Sequence, residues 1–567
     1  MAQTGEPAPA RDASALAAPG LWAAWNGRRL VWRNDVARSH CGEVELCIDD
    51  VIFERIVPDP SIPLCEREFA FSPSGRDEIV FSLRAAGGGV IGSRWHVLHG
   101  RAAPAGMDQW QGDARAMRPL AAALPPRWTH APATAIVVPI YNSPHWVQCC
   151  ITALLRWTSG DVRLILIDDA SGDAQIATLL AAYADRPHIL VRRNADNLGY
   201  TRSTNLGIEL AGDADVVLLN SDTQVGPRWL QGLRQVAYAD ERIGTVTAVS
   251  DNAGAFSVPE LEQACAVPSR WSLPMTQRAL LQNIGGCLPE LPTGNGFCMF
   301  VKRALLDRVG VLDAEAFPSG YGEENDLCQR AERVGYRHVI AGNVFVHHER
   351  SASFGAERRA TLGAQGMQVL RSRYPDYEAR VGATLFSFER RVLDYRVRRI
   401  YADRDGVYTA LPPRPRVLLV VGRDEPAAVA TLVCVLRALY ECFVLSDDAG
   451  HLRLWRYQDA GFHAEREYAL MTDAERCIGG WLLKFAIELV HVFSAQADNR
   501  GLQVAAACMD VPVLDSGADA QFQVLRRSMS MEGADPAASV QLADYCNVLY
   551  PACWRDHARF ADVEGVR

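Results

Sequence analysis

Between Thr134 and Leu219 the chain repeats one pattern: a short apolar run that ends in polar residues, followed by a stretch with helical periodicity. Ala135-Ile136-Val137-Val138-Pro139, Val162 to Ile167, His188 to Arg192 and Asp215 to Leu219 read as strands. Pro144 to Trp157, Gln175 to Tyr183 and Thr201 to Leu210 read as the helices between them. Strands alternating with helices at this spacing close into a mostly parallel sheet covered on both faces. Ligands of such sheets bind outside the carboxyl ends of the strands. The places to look are therefore Tyr141-Asn142, Asp168-Asp169, Asn194 to Asn197 and Asn220-Ser221-Asp222.

With 567 residues the chain exceeds what one core supports, so several domains are expected. Residues 1–20, rich in Ala and Pro and without the basic start and apolar run of a secretion signal, read as a disordered lead. Residues 21–110 alternate in short runs. Glu43 to Ile48, the Asp49-Asp50 turn and Val51-Ile52-Phe53 form one expected hairpin; Phe69-Ala70-Phe71, the Ser72 to Gly75 turn and Ile79-Val80-Phe81 form another. This is the pattern of a small antiparallel β module, a sandwich in form, with a docking role or carbohydrate binding as its two readings. Residues 111–132 have linker composition, 133–375 carry the α/β pattern, and 376–415, rich in Arg and Tyr, form a connecting segment. A second α/β pattern over 416–567 has strands Val417 to Val421, Cys442 to Leu445, Leu489 to Phe493 and Val511 to Leu514, with helices Ala427 to Leu439 and Leu502 to Cys508.

Composition excludes several classes. A net charge of -9 with no long Lys/Arg run gives no electrostatic reason for a nucleic-acid partner. The fifteen Cys are scattered without paired C-x-x-C elements, which suggests neither a zinc site nor a disulfide framework and makes reduced, cytoplasmic thiols the default. Apolar runs such as Val417 to Val421 fall far short of the roughly 20 residues that span a bilayer, which leaves peripheral membrane attachment open. Neither Pro139 to Ser143 nor Gly422 to Glu425 supplies the G-x-G-x-x-G turn of a nicotinamide enzyme.

The strand ends carry acids suited to three tasks. Asp169 can accept the imino proton of a uracil or thymine base, although Asp168, Asp169 and Ser171 can also cap the following helix. Asp222 stands where an apolar run turns abruptly polar, and a carboxylate there can bridge Mg2+ or Mn2+ to phosphate oxygens; a turn-forming Asp is the alternative. Glu323-Glu324-Asn325-Asp326 opens a helix directly after Gly320-Tyr321-Gly322 and supplies a candidate general base, beyond what the helix dipole alone favours. His347-His348 after the strand Val344-Phe345-Val346 can complete a metal shell or be structural.

In order and spacing these elements resemble a family 2 glycosyltransferase of the GT-A fold, in the rhamnosyltransferase-like branch of bacterial surface polysaccharide synthesis. The resemblance runs from Thr134 to Tyr374 through Val137 to Asn142, Ile167 to Ser171, Asn197 to Tyr200 with Asn205 to Gly207, Leu218 to Thr223, Thr293 to Gly296, Gly322 to Leu327, and His348 with Ser353 to Gly355. It implies an inverting transfer from a nucleotide-sugar, UDP- or dTDP-linked, to a saccharide or lipid-linked saccharide acceptor in O-antigen or capsule synthesis, with a divalent cation as cofactor. Donor binding then falls to Pro139, Tyr141, Asn142, Asp168, Asp169, Asn197, Gly199, Asn205, Asn220, Ser221 and Asp222. Thr293, Gly294, Asn295, Gly296 and Asp326 become the acceptor and donor loop, Asp222 and His348 (with His347 as competitor) the metal ligands, and Glu324 (with Glu323 as competitor) the catalytic base. Asn220 departs from the usual first Asp of the diphosphate motif, and Glu324 from the more frequent Asp. Residues 416–567 resemble the first half of a family 4, GT-B glycosyltransferase, without its donor-binding half. A sugar-binding or scaffolding protein of a polysaccharide assembly complex is the rival reading, and oligomeric state is not legible.

Overall fold

The computed structural model describes residues 133–284, 288–349, 356–385, 387–402 and 407–421. It also describes segments within 23–98 (23–25, 29–33, 43–48, 51–56, 64–68, 78–85 and 95–98), and within the C-terminal part 429–448, 451–458, 461–469, 478–479, 481–482, 485–493, 502, 505–506, 509–517, 519 and 536–560. The expected lead 1–20, the linker 111–132, Ser353 to Gly355 and Gly422 to Glu425 lie outside the described residues.

The first strands are β1 (Ala23–Trp25), β2 (Arg29–Arg33), β3 (Val44–Ile48), β4 (Val51–Ile56), β5 (Leu64–Glu68), β6 (Glu78–Ala85) and β7 (Trp95–Leu98). They form two antiparallel sheets, β1-β2-β5 and β4-β3-β6-β7. Ile48 faces Val51, so β3 and β4 pair as the expected hairpin requires, its Asp49-Asp50 turn lying outside the described residues. Of the second expected hairpin, Ile79-Val80-Phe81 stand in β6, which pairs with β3 and β7, while Phe69 to Gly75 lie outside the described residues.

The central elements are β8 (Thr134–Ile140), α1 (Pro144–Trp157), β9 (Val162–Asp168), α2 (Ala174–Ala181), β10 (Ile189–Arg193), α3 (Tyr200–Leu210), β11 (Asp215–Leu219), β12 (Thr223–Gln224), α4 (Trp229–Ala237), β13 (Ile243–Val249), α5 (Leu273–Asn283), β14 (Cys298–Val301), α6 (Arg303–Val309), α7 (Glu323–Glu332), β15 (Arg337–Phe345) and β16 (His347–His348). The seven-stranded sheet has the order β10-β9-β8-β11-β14-β13-β15, and only β14 runs against its neighbours. Its inner strands are apolar on both sides because helices cover both faces. Ile136, Val138 and Val217 belong to one core, and Ala135, Val137 and Val216 to the other. Helix α1 starts with Pro144 at its first turn and buries Val147, Cys150, Ile151, Leu154 and Leu155, spaced three and four apart on one face. At Gly207 of α3 an added Cβ would lie 2.2 Å from Val137 Cγ1, so only a glycine lets this helix settle onto β8.

Helices α8 (Ala356–Arg373), α9 (Tyr377–Leu385) and α10 (Phe388–Tyr401) follow. Helix α10 binds the N-terminal strands to the central sheet. Arg398, almost fully buried, donates to the carbonyls of Ile52, Phe53 and Pro259 and pairs with Glu260, while Tyr395 meets Phe53 edge-on at 5.1 Å. Beyond it, β17 (Arg416–Val421), α11 (Ala430–Leu436), β18 (Glu441–Asp448), β19 (His451–Gln458), β20 (Gly461–Ala469), β21 (Leu489–Val492), β22 (Val513–Asp515) and α12 (Pro536–His557) form a second α/β unit. Its sheet, β20-β19-β18-β17-β21-β22, is parallel from β18 to β22, as the apolar runs predict, and is extended by an antiparallel meander, β19 and β20, that they do not. Arg278 of α5 clasps Glu488 through two hydrogen bonds, of 2.8 and 3.0 Å, and joins the two units.

Gly207→Ala is expected to cost about 1–3 kcal/mol through overpacking against Val137. Chemical denaturation measures this, and an unchanged midpoint would contradict the close helix–sheet contact.

Candidate active site

The loops after β8 and β9 hold each other. Ser171 Oγ accepts from the Asn142 amide at 2.9 Å, and Asn142 Oδ1 accepts from the amides of Gly172 and Asp173 at 3.0 and 3.1 Å. Asn142, Ser143 and Ala170 all adopt positive φ, a left-handed conformation that Asn tolerates and that costs energy elsewhere unless such interlocking bonds hold it. Pro139 lies past the last β8–β11 pair, Val137 with Leu218, where a missing N–H is tolerated. Tyr141 is half-buried at the mouth of these loops.

Asp169 organises the next loop. Its Oδ1 accepts from Asn194 Nδ2 at 2.9 Å and the Leu198 amide at 2.8 Å, and its Oδ2 accepts from the Gly199 amide at 2.9 Å. Asn197 Nδ2 reaches the Asp169 carbonyl at 3.4 Å. Three of the four acceptor positions of the carboxylate are thus taken, and one on Oδ2 remains. Gly199 sits at φ 84 with the Pro318 carbonyl 2.5 Å from where a Cβ would be, so this position admits only glycine.

A two-stranded ribbon brings Asp222 to the histidines: Thr223 of β12 pairs with His348 of β16, and Gln224 with His347. His348 donates from Nδ1 to the Asn252 carbonyl at 3.1 Å, which leaves Nε2 of the neutral ring as an acceptor. That atom faces Asp222 Oδ1 at 3.3 Å, with Asn220 Nδ2 at 3.4 Å and the ring stacked on Phe297. A carboxylate and an imidazole nitrogen at this distance can share a proton or a cation, and a backbone carbonyl behind a histidine is the usual support of a metal ligand. Ser221 is half-buried beside them. Among the described residues no cluster of three or more His, Cys, Asp and Glu suited to a metal occurs, so a cation here would have two protein ligands.

Glu323 and Glu324 open α7 after Gly322, which at φ 148 lies against Phe317. Glu323 is buried and its Oε2 accepts from the Gly322 amide at 3.0 Å. Burial, then the charge and hydrogen bond of Glu324, push the Glu323 carboxyl well above its ordinary range. Burial also raises Glu324, against the opposing pull of the Glu323 hydrogen bond and of its own, the Gly296 and the Gly322 backbones. Its Oε2 is buried and has no hydrogen-bond partner among the described residues. Tyr200, at the start of α3, is the residue that the sequence reading quoted in a motif but gave no role. Burial raises its hydroxyl well above the usual range, and the charges of Glu323, Glu324 and Asp222 add to this, so all three acids lie near enough to act on it. Gly296 permits this approach: a Cβ there would lie 2.7 Å from the Tyr200 hydroxyl. The loop bearing it is fixed to α7 by Asn325 Nδ2 donating to Thr293 Oγ1 at 2.8 Å, is braced within itself by Asn295 Oδ1 accepting from the Phe297 amide at 3.1 Å, and packs on β14 where the missing Cβ of Gly294 makes room for Met299.

Four expected site residues are committed elsewhere. Asp168 pairs with Arg193 and accepts from the Ser171 amide at 2.9 Å, which makes it the turn cap. Asn205 is clamped to Leu312, donating to its carbonyl at 2.8 Å and accepting from its amide at 3.1 Å. Asp326 is fully buried and is consumed by Arg330 at 2.8 Å, Arg373 at 2.9 Å and the Tyr374 hydroxyl at 2.8 Å, which tie α7 to α8. His347 turns to Asp251, 2.6 Å from Nδ1, rather than to Asp222; burial works against its charged form, but the Asp251 hydrogen bond and charge outweigh this and raise its pKa.

Known proteins share this middle stretch. Residues 135–310 match the model of Glycosyl transferase family 2. The match ends before Glu323. The chain is 29% identical over 106 residues to the uncharacterized glycosyltransferase EpsJ of Bacillus subtilis (strain 168), covering 19% of this chain and 30% of that one. It is 28% identical over 127 residues to the glycosyltransferase GlyG of Streptococcus pneumoniae serotype 4, covering 22% and 42% respectively. The chain thus spans less than half the length of these relatives. Among solved structures, a mannosyltransferase from Pyrobaculum calidifontis in complex with GDP-Man and Mn2+ aligns with a TM-score of 0.33 at 17% identity, over 48% of this chain and 75% of that one.

A raised folded-state pKa means that the native protein holds the Glu323 proton over a range where the unfolded chain has lost it, so stability falls as pH rises above the ordinary Glu range. Glu323→Gln is expected to remove this loss: the variant should exceed the parent in melting temperature at neutral pH, with the gap closing as pH falls toward 4.5.

Proposed function

We propose that this chain is an inverting, metal-dependent glycosyltransferase, transferring a sugar from a UDP- or dTDP-linked donor to a saccharide or lipid-linked saccharide acceptor in bacterial surface polysaccharide synthesis, O-antigen or capsule, on the cytoplasmic side. The observation that carries it is the approach of Asp222 Oδ1 to His348 Nε2 at 3.3 Å, beside which stands the buried Glu324 Oε2, without a hydrogen-bond partner among the described residues, in the same domain. The match of residues 135–310 supports the same class of reaction. Among the described residues no helix is long and apolar enough to cross a membrane.

The donor set, one carboxylate and one imidazole supported by a carbonyl, fits Mn2+ or Mg2+, which commonly take one or two protein ligands and complete their shell with phosphate oxygens. When bound, such a cation would neutralise charge on the departing diphosphate. Asp222 and His348 would hold it, and the remaining acceptor position of Asp169 would take the imino proton of the base. Glu324, ionised and hydrogen-bonded by the protonated Glu323, would remove the proton from the acceptor hydroxyl as its oxygen bonds to the anomeric carbon and the bond to the diphosphate breaks. Tyr200 would wall the donor sugar against α7. The role of Glu323 is to keep its neighbour ionised and oriented, which an amide can also do by donating a hydrogen bond.

Glu324→Gln is therefore expected to lower sugar transfer by about 10²–10⁴-fold, with Glu323→Gln retaining most of it. Because Glu324 must be ionised and its pKa is raised, transfer should fall on acidification at a pH above the ordinary Glu range. Nucleotide release from a panel of UDP- and dTDP-sugars across pH reads both, and a folded Glu324→Gln variant of full activity would sink the base assignment. No turnover of any donor by the parent with Mn2+ or Mg2+ present would favour a sugar-binding scaffold.

A further inference from the structure

The ribbon that carries His348 is too short to place it unaided. Strands β12 and β16 share only the pairs Thr223 with His348 and Gln224 with His347, and a two-stranded ribbon by itself is marginal in water. Asp251, in the loop after β13, supplies the missing hold, and the transfer chemistry above gives this acid no role. Both of its carboxylate oxygens meet the same dipeptide: Oδ2 accepts from His347 Nδ1 at 2.6 Å, and Oδ1 accepts from the His348 amide at 3.2 Å. Successive side chains of an extended strand point to opposite sides. Holding the His347 ring and the next amide on one carboxylate therefore puts the His348 ring on the side opposite His347, where Asp222 Oδ1 stands 3.3 Å from its Nε2. The neighbouring Asn252 carbonyl completes the hold by accepting from His348 Nδ1 at 3.1 Å.

Asp251 is itself anchored. Its side chain, 15% exposed, also accepts from the Ser250 hydroxyl at 3.1 Å, and its carbonyl accepts from the Cys265 amide at 2.7 Å. The Ser250 amide donates to the Phe256 carbonyl at 3.0 Å, and the Ser250 carbonyl accepts from the Val258 amide at 2.9 Å, which closes the loop. Behind this turn lies the buried Arg390 of α10, which donates to the carbonyls of Ala255, at 2.6 Å, and of Ser257, and pairs with Asp394. The carboxylate is thus a fixed reference against which the two histidines are set. We infer that Asp251 is the positioning residue of the cation site: it holds His348 Nε2 where a cation bound to Asp222 Oδ1 can reach it. This rests on the cation reading proposed above.

Mn2+ titration of the full chain with UDP present, followed by the electron paramagnetic resonance of free Mn2+, tests this without turnover. Asp251→Asn keeps an acceptor oxygen for the His348 amide and gives up the charge, so it should bind Mn2+ within about threefold of the parent. Asp251→Glu keeps the charge and displaces the carboxylate by one methylene. It should bind Mn2+ at least tenfold more weakly, as should Asp251→Ala, the scale on which the outer partners of a ligating histidine act. Asp251→Glu carries the test where Asp251→Ala does not fold. Asp251→Asn binding as weakly as Asp251→Ala would mean attraction by charge instead of positioning, and would overturn the assignment. Parent-like Mn2+ affinity in folded Asp251→Glu or Asp251→Ala, with only the melting temperature lowered, is the result of a purely structural residue and would overturn it too. If His348→Gln weakens Mn2+ binding in that case, the cation reading still stands; a parent that binds no Mn2+ would overturn that reading and this assignment together.

Discussion

The Asp169 carboxylate sets the geometry on which the rest of the site depends. By accepting from Asn194, Leu198 and Gly199 it folds the loop after β10 back across the strand ends and fixes where α3 begins. Tyr200 is the first residue of that helix, and its hydroxyl feels the charges of Asp222, Glu323 and Glu324. A buried carboxylate without its donors would cost several kcal/mol, so the loop and the acid stabilise each other. The glycines obey the same geometry: Gly199 and Gly296 are bare where the Pro318 carbonyl and the Tyr200 hydroxyl come closest.

Two different electrostatic solutions follow on either side of Tyr200. At β12 and β16, a short ribbon sets the Asp222 carboxylate and the His348 imidazole face to face. At α7, two glutamates are set together, and burial raises the pKa of both. A carboxylate-imidazole pair at one place and a buried glutamate pair at the other would suit the proposed transfer, in which an anionic group leaves as a hydroxyl attacks.

Much of the central fold was legible in the sequence because burial on both faces makes the strands continuous apolar runs. Pro144 to Trp157 and Asp215 to Leu219 form the helix and strand that their patterns predict. The β19–β20 meander was not legible, because His451 to Gln458 and Gly461 to Ala469 are rich in charged and polar residues at the sheet edge and carry no apolar run. At the candidate site, sequence order singled out Asp222, His348 and the glutamate pair, but it could not separate candidate site acids from cross-links. Asp326 and Asn205 stand in the same motifs as the others and are distinguished only by Arg330, Arg373 and Leu312, which lie across the fold or on a helix face. Tyr200 carried no signal of its own, since its importance arises from three acids distant in the chain.

The central claim is that Asp222 and His348 hold a cation within a transfer site. Electron spin-echo measurements on Mn2+ with UDP test it most directly, because a coordinated imidazole imprints its nitrogen on the metal signal. Nitrogen modulation should be present in the parent, persist in His347→Gln and vanish in His348→Gln. Its absence from the parent, or its survival in His348→Gln, would contradict the account.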